Sequence, residues 1–155
     1  MSDITKSIKD FKHKISLTVR FNEVDMLGVC NNSVYLNYIE HARLQYIKQI
    51  GLMPGKEIFS DDRLFFVVRN ELNYKGFAHY DDELEVYSKI SFIKNSSFGF
   101  DHIIVNSKTN NIIVEGSGVI VQVDPLTKQS TNLPDEFYEK VKQHEERVKI
   151  LKEGE

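Results

Sequence analysis

The chain has little of several features that would indicate particular classes of protein. Among its 155 residues it has one cysteine, Cys30, which excludes an internal disulfide framework and a zinc site built on several thiolates. Its longest apolar run, residues 64–68, has five residues, whereas a membrane-spanning helix needs about 18. The N-terminus also lacks the apolar core of a secretory signal. We therefore expect a soluble cytoplasmic protein.

The charge balance excludes a further class of partner. Lys and Arg total 20 and Asp and Glu total 23, which gives a formal net charge of −3, so the chain has no broad basic surface for nucleic acid or an anionic membrane. Hydrophobic residues at 41% and charged residues at 28% are typical of globular proteins. The length suits one domain. We expect polar residues 1–12 to form a flexible N-terminal segment and residues 13–155 to form a single domain.

Apolar periodicity predicts the order of the secondary structure. The expected elements, in chain order, are a strand over residues 15–21, a type I turn at 25–28, a long buried helix over 32–50, a loop over 52–63, strands over 64–74, 82–93, 97–105 and 112–123, and a terminal helix whose apolar face extends to residue 151. Asn31, Asn32 and Ser33 all suit the cap of the long helix, and Gly51 suits the position after its end.

Four consecutive strand patterns with short links imply an antiparallel sheet. The long helix is apolar over most of its surface, which implies a sheet that curls around it, and the sequence therefore predicts an α+β fold. Gly116 and Gly118 lie inside the last strand pattern. They indicate a bulge or a close approach by a bulky group such as the buried helix.

The segment over residues 19–43 carries an ordered set of motifs. These are an acidic residue at a strand end (Asp25), a following glycine (Gly28), a paired Asn31-Asn32, a Tyr-rich helix and a Glu-x-Ala-Arg sequence at residues 40–43. In this order and spacing they resemble the signature of hotdog-fold thioesterases of the 4-hydroxybenzoyl-CoA thioesterase type, and the similarity extends over residues 13–140.

The resemblance implies the architecture, the substrate and the assembly of the protein. It implies a hotdog fold, in which an antiparallel sheet curls around one long helix. The implied substrate is an acyl-CoA or acyl carrier protein thioester, hydrolysed to free acid and thiol with no cofactor and no metal. The implied assembly is a homodimer or homotetramer whose active sites lie between chains, so that one chain supplies half of a site.

Thioester hydrolysis needs a base or nucleophile at the acyl carbon and hydrogen-bond donors for the oxyanion that forms there. Asp25 supplies a carboxylate, and the unpaired amides at the start of the long helix are suited to polarise a carbonyl. The resemblance implies that the amide near Asn32 polarises the substrate. It also implies that Asp25 acts as nucleophile or as base toward water, and both roles stay open. Without the resemblance, turn chemistry alone explains Asp25 with Gly28.

The candidate substrate-binding residues are Gly28, Asn31, Tyr35, Glu40, His41 and Lys94. Glu40 has a simpler interpretation, an ion pair with Arg43 three residues later. Lys94 lies where related enzymes carry a short basic run suited to the phosphates of coenzyme A. Only one of those positions is basic here, so an acyl carrier protein thioester stays an alternative. Glu23 stands where the family commonly has Asp, and we expect it to face solvent or a neighbour.

Three alternatives stay open. Cys30 lies five residues after Asp25 and suits a nucleophile near a helix N-terminus, although a lone cysteine is more often a small buried hydrophobic residue. Residues 29–32 contain no histidine, which favours a non-catalytic hotdog protein that binds acyl thioesters. A hydratase or dehydratase on the same fold would need a histidine and acid pair, to which His41 alone is suited to contribute.

Overall fold

The computed structural model describes residues 8–52 and 64–152, which form one sheet and the helices packed against it. The elements are β1 (His13–Thr18), a 3₁₀-helix (Phe21–Glu23), α1 (Asn32–Gln49), β2 (Leu64–Tyr74), β3 (Glu83–Ile93), β4 (Ser97–Asn106), β5 (Ile112–Val123), α2 (Asp135–His144) and β6 (Lys149–Ile150). The predicted long helix and the four strands after it are confirmed. Of the predicted loop over residues 52–63, residues 53–63 lie outside the described residues.

The sheet follows the strand order β1-β3-β4-β5-β2, and every pair along this path is antiparallel. The antiparallel sheet predicted from consecutive strand patterns is therefore confirmed. Strand β6 pairs with β3 in parallel, beside residues 92–93, while β1 covers the same edge of β3 beside residues 83–88. Strand β2 lies at the opposite end of the sheet.

Helix α1 packs one face on the sheet. Tyr35, Ile39 and Ala42 are buried among side chains of β3, β4 and β5, as expected for the apolar stripe of a helix. The opposite face, which carries Glu40 and His41, is exposed. In the single chain the sheet therefore covers one side of the helix and leaves the other side open.

The ends of α1 are those that the sequence predicts. The Asn31 side chain accepts a hydrogen bond from the Ser33 amide, and Asn31 is the N-cap. Gly51 follows the last turn with a φ of 84°, a conformation that glycine adopts at little cost.

The two glycines of β5 lie under α1, which confirms the predicted close approach of the helix. A Cβ atom on Gly118 would overlap the guanidinium of Arg43, and one on Gly116 would lie 3.3 Å from Cδ1 of Ile39. At residue 118 only a residue without a side chain lets α1 approach the sheet this closely, whereas a Cβ at residue 116 would be a tight contact.

Two predicted boundaries were wrong. Strand β1 ends at Thr18, and Phe21 is 79% exposed in the 3₁₀-helix, because a local turn closes there with the Glu23 amide donating to the Arg20 carbonyl. The terminal helix ends at His144, so Leu151 is not part of its apolar face. The chain instead turns to pair with β3, and the Leu151 amide donates to the carbonyl of Ile93.

The two ends of the described chain meet beside β3. Lys12 forms a 3.1 Å ion pair with Glu146, and Arg147 approaches Asp10 to 3.3 Å. Residues 1–7 of the segment predicted to be flexible lie outside the described residues. No helix within residues 8–52 and 64–152 is long and apolar enough to cross a membrane.

Candidate active site

A closed loop holds Asp25 beside the start of α1. The Asp25 amide donates to the Val29 carbonyl at 2.9 Å, and the Asn31 amide donates to the Glu23 carbonyl at 2.9 Å. The Gly28 amide donates a 3.0 Å hydrogen bond to the Asp25 carbonyl, which confirms the predicted turn. Gly28 has a φ of 77°. The loop is thus fixed by backbone hydrogen bonds that bring its two ends together.

The Asp25 carboxylate has one oxygen available for chemistry. Oδ1 accepts a 2.8 Å hydrogen bond from the amide of Leu27. Oδ2 accepts none from the part of the chain that the structure describes, and the residue is exposed. The turn therefore orients the carboxylate through one oxygen and leaves the other open to water or substrate.

The first turn of α1 leaves one amide free. The Asn31 side chain accepts a 3.1 Å hydrogen bond from the Ser33 amide, and the Asn31 carbonyl accepts one of 2.9 Å from the Val34 amide. The Asn32 amide donates to no group within residues 8–52 and 64–152. An unpaired amide at the positive end of a helix dipole is suited to stabilise an oxyanion.

Glu23 and Tyr38 connect the loop to α1, and the sequence did not predict this contact. The Tyr38 hydroxyl donates a 2.8 Å hydrogen bond to Oε1 of Glu23, and the Arg20 amide donates to the same oxygen at 2.8 Å. Glu23 thus faces the helix. No local sequence signal indicates this contact, because the two residues are 15 positions apart in the chain.

Tyr35 lies in the core under the loop. It is 1% exposed, and its hydroxyl accepts a 3.1 Å hydrogen bond from the Ala78 amide. Burial raises the pKa of this hydroxyl to about 12. The role of Tyr35 in substrate binding stays a prediction, and the contact that the structure shows is with the backbone before β3.

Cys30 is placed as the simpler interpretation expected. The residue is 3% exposed, and its sulfur lies 3.7 Å from the Asn31 carbonyl and 4.0 Å from the Tyr38 hydroxyl. Burial raises the pKa of the thiol, and the neighbouring charges of Glu23 and Asp25 raise it further. Because the thiolate is the nucleophilic form, Cys30 is poorly suited to attack a thioester.

Arg43 does not form the expected ion pair with Glu40. It is 5% exposed, and its Nε donates to Nε2 of His102 at 3.0 Å while Nη2 donates to Oδ1 of Asn70 at 2.9 Å. The prediction was wrong because the glycine gap at Gly118 lets the guanidinium turn toward the sheet. Glu40 and His41 stay on the exposed face of α1.

Lys94 lies at the other end of the sheet from Asp25 within one chain. The Asp25 loop adjoins the start of β3, because the Val19 amide donates to the Asp82 carbonyl. Lys94 follows the last residue of β3, and eleven residues of strand span roughly 35 Å. Of the candidate residues, the single chain therefore brings Asp25, Gly28, Asn31 and Asn32 together and leaves Lys94 apart.

Within residues 8–52 and 64–152, no group of three or more His, Cys, Asp and Glu residues is arranged to hold a metal ion.

The fold is that of a known class of protein. The sequence pattern of the thioesterase-like superfamily matches residues 19–141, which is most of the chain. The chain belongs to this superfamily. The thioesterase class and the hotdog fold expected from the sequence are thereby confirmed.

Individual relatives are similar at moderate identity. The chain is 31% identical over 121 residues to the acyl-acyl carrier protein thioesterase ATL3 of Arabidopsis thaliana, covering 77% of this chain and 62% of that protein. It is 29% identical to the acyl-CoA thioester hydrolase YbgC of Escherichia coli over 81% of this chain and 92% of that one.

A solved thioesterase of Thermus thermophilus shares the fold. Its crystal structure was determined with coenzyme A and Zn, and it is 28% identical with a TM-score of 0.77, over 90% of this chain and 98% of that one.

Proposed function

We propose that this protein hydrolyses acyl thioesters at the corner formed by Asp25 and Asn32. One observation supports this most: a closed loop carries the open carboxylate oxygen of Asp25 and leads directly into the unpaired first amide of α1, within a chain of the thioesterase-like superfamily. The carboxylate supplies the base or nucleophile, and the amide supplies the oxyanion donor. Gly28 and Asn31 keep the two groups in place.

Two routes are compatible with this corner. As a base, Asp25 removes a proton from water, the water oxygen bonds to the acyl carbon, and the C–S bond breaks to release a thiolate that takes up the proton. As a nucleophile, Asp25 bonds to the acyl carbon itself and expels the thiolate, and water then hydrolyses the mixed anhydride. Both routes use the Asn32 amide to stabilise the developing oxyanion.

We propose an acyl-CoA as the substrate and an acyl carrier protein thioester as the alternative. The relative YbgC, which the chain matches over 92% of its length, is named an acyl-CoA thioester hydrolase. The chain spans a smaller share, 62%, of the acyl carrier protein thioesterase ATL3.

We also propose that two chains form a homodimer through β2. This eleven-residue strand lies at the edge of the sheet, with Phe66, Val67 and Val68 exposed. A long apolar edge strand invites pairing with another strand. In a homodimer the active site could be completed by residues of both chains. Lys94 of the partner, or of a further dimer, would then supply a positive charge to that site. Light scattering should give the mass of a dimer for the wild type and of a monomer for Val68→Lys.

The test is a panel of acyl-CoA and acyl carrier protein thioesters with detection of the free thiol. The Asp25→Asn variant should lose at least about 100-fold in kcat/KM, the scale of general acid–base catalysis. Asp124→Asn is a matched control, because Asp124 also accepts turn amides from residues 126 and 127 at the end of β5. It should keep the wild-type rate.

Full turnover by Asp25→Asn would remove Asp25 from the mechanism. Binding of acyl-CoA without hydrolysis of any thioester by the wild type would replace the proposal with a non-catalytic binding protein. The two routes separate in a single turnover in water enriched in heavy oxygen. Label in the Asp25 carboxylate identifies the nucleophilic route with attack of water on the Asp25 carbonyl carbon of the anhydride. Where the label enters the product acid alone, release of free thiol ahead of the acid identifies the nucleophilic route, and simultaneous release identifies the base route.

A further inference from the structure

Five large apolar side chains in and beside the loop of Asp25 are exposed to solvent. This group, which we call the loop patch, consists of Phe21, Met26, Leu27, Phe77 and Tyr80. A single exposed apolar residue is common on protein surfaces and needs no explanation. Several of them in one place indicate a surface that contacts another molecule or a ligand.

Hydrogen bonds and ring contacts join the segments that carry the loop patch. The Cys30 amide donates to the Ala78 carbonyl at 2.7 Å, which connects the loop to the segment of Phe77 and Tyr80. The rings of Phe21 and Tyr80 meet edge to face, with their centroids 5.8 Å apart. The five side chains therefore belong to one corner of the molecule, which is the corner of the proposed hydrolysis.

Met26 and Leu27 are fixed to the proposed catalytic carboxylate. They occupy the two central positions of the turn from Asp25 to Gly28, and the Leu27 amide donates to Oδ1 of Asp25 at 2.8 Å. Met26 is fully exposed and Leu27 is 85% exposed, although turns mostly hold Gly, Pro, Asn, Asp and Ser. A chain attached to the acyl carbon at Asp25 therefore starts at the turn that carries these two side chains.

The charge around the loop patch favours an uncharged group. Residues 19–31 and 77–83, which carry the patch, contain five acidic residues and one arginine. These acids repel phosphate groups, which disfavours the nucleotide of coenzyme A and an anionic membrane at this corner. Two copies of the chain that met patch to patch would bring the same acids together, because an isologous contact uses the same surface on both chains.

We propose that the loop patch binds the acyl chain of the substrate and that this chain is a long aliphatic one. The inference rests on the proposed hydrolysis at Asp25 and names the class of acyl group that the site selects. An alkyl chain is apolar along its whole length and extends over several side chains, whereas an acetyl group or a single aromatic ring covers only part of the patch. The unbranched side chain of Met26 adapts to such a chain.

The first test compares acyl-CoA thioesters of increasing chain length, from acetyl to dodecanoyl, together with benzoyl-CoA. For the wild type, kcat/KM should rise about two- to fourfold for each methylene group that the patch removes from water. Benzoyl-CoA should be hydrolysed with a lower kcat/KM than decanoyl-CoA. The rise should come from a falling KM, because a contact made equally in the ground state and the transition state leaves kcat unchanged.

The second test replaces Met26 and Leu27 together by Ser, a residue that turns favour. The ratio of kcat/KM for decanoyl-CoA to kcat/KM for acetyl-CoA should fall about tenfold or more, through a higher KM for decanoyl-CoA. Leu126→Ser is the matched control, because Leu126 is 92% exposed and its amide donates to Oδ1 of Asp124 in the turn after β5. The control should keep the wild-type ratio, and melting temperatures confirm that each variant is folded.

Binding without turnover separates this proposal from the hydrolytic one. S-decyl-CoA and S-ethyl-CoA are thioethers that water does not cleave, and each is titrated by calorimetry into the wild type and the double variant. The wild type should bind S-decyl-CoA at least about tenfold more tightly than S-ethyl-CoA, and the double variant should lose this difference. A wild type that shows this preference but cleaves no thioester would refute hydrolysis at Asp25 and support the loop patch as the site of the chain.

Three results would overturn the proposal. One is equal binding of the two thioethers by the wild type, whatever its turnover. The second is a chain-length ratio that the replacement of Met26 and Leu27 leaves unchanged. The third is a monomeric double variant where light scattering finds a dimeric wild type, because the loop patch would then be a contact between two copies of the chain.

Discussion

The Tyr38 hydroxyl donates a 2.8 Å hydrogen bond to the Glu23 carboxylate and thereby joins α1 to the loop that carries Asp25. The same carboxylate oxygen accepts a hydrogen bond from the Arg20 amide, and the Glu23 carbonyl accepts one from the Asn31 amide. Glu23 therefore contacts both the entrance of the loop and the start of the helix. This arrangement fixes the position of Asp25 relative to the first amide of α1.

Tyr38→Phe should reduce turnover more than it reduces substrate binding. The variant removes the hydroxyl and keeps the buried ring, so the loop loses its side-chain hydrogen bond to α1 while the core stays filled. We expect kcat to fall about 3- to 10-fold with little change in KM, and the free energy of unfolding to fall by about 1.5 kcal/mol, as for a hydrogen bond to a charged group. Steady-state kinetics and urea denaturation measure the two effects.

The matched control for this variant is Tyr87→Phe. The Tyr87 hydroxyl donates a hydrogen bond of the same length, 2.8 Å, to Glu85, on β3 rather than at the loop. Tyr87→Phe should leave kcat unchanged. Equal losses of kcat in the two variants would show that Tyr38 does not position Asp25.

The sequence predicted the order of elements because each carries a local signal. The alternation in β3 and the cap at Asn31 depend on neighbours in the chain. Strand β6 and the end of α2 at His144 were not predicted, since they follow from pairing with β3 more than 50 residues away in the chain. The sequence pattern alone does not determine which distant edge a short strand will find.

Of the candidate site, the sequence predicted the residues of the turn and the cap but not the contacts that hold them. Asp25 and Asn31 stand in sequence motifs with local hydrogen-bond patterns. The contact of Glu23 with Tyr38 and the contact of Arg43 with His102 both join residues distant in the chain. Glu23 was expected to face solvent or a neighbour, and the neighbour it contacts is Tyr38. For Arg43, an i,i+3 ion pair with Glu40 was expected, and burial against the sheet proved stronger.

Gly118→Ala should destabilise the protein more than Gly116→Ala. A Cβ at residue 118 overlaps the Arg43 guanidinium, which hydrogen bonds hold on two sides, whereas one at residue 116 comes no closer than 3.3 Å to its neighbours. We expect a loss of about 2–3 kcal/mol for Gly118→Ala, the upper part of the range for overpacking, and about 1 kcal/mol or less for Gly116→Ala. Equal losses in urea denaturation would show that Arg43 moves aside freely.

His102 should make the protein less stable in acid. Its Nε2 accepts the Arg43 donor and its Nδ1 contacts the Ser88 hydroxyl at 2.9 Å, so the proton resides on Nδ1. Burial and the Arg43 charge hold the pKa of His102 well below its ordinary value of 6.5. As the pH falls below about 6.5, His102 becomes protonated in the unfolded chain but stays neutral in the folded chain. The free energy of unfolding therefore decreases.

The measurement compares the free energies of unfolding of the wild type and His102→Gln at pH 7 and pH 5.5. The wild type should lose about 1 kcal/mol more than the variant over this interval. His41→Gln, on the exposed face of α1, is the control and should follow the wild type. A parallel loss in His102→Gln would mean that His102 takes up its proton in the folded state.

Glu145 should act in the opposite direction. Burial raises the pKa of this carboxyl to about 7 from an ordinary 4.5, so the folded chain keeps a proton that the unfolded chain releases between these values. The stability contributed by the protonated form is complete below about pH 4.5 and is lost as the pH rises through about 7.

The variant Glu145→Gln keeps the shape of the side chain and cannot ionise. Between pH 5 and pH 8 the variant should therefore gain about 2 kcal/mol relative to the wild type, by the linkage between pKa and stability. Glu139→Gln, exposed on α2, should show no such gain, and a Glu145→Gln profile parallel to the wild type would place an ionised carboxylate at pH 5.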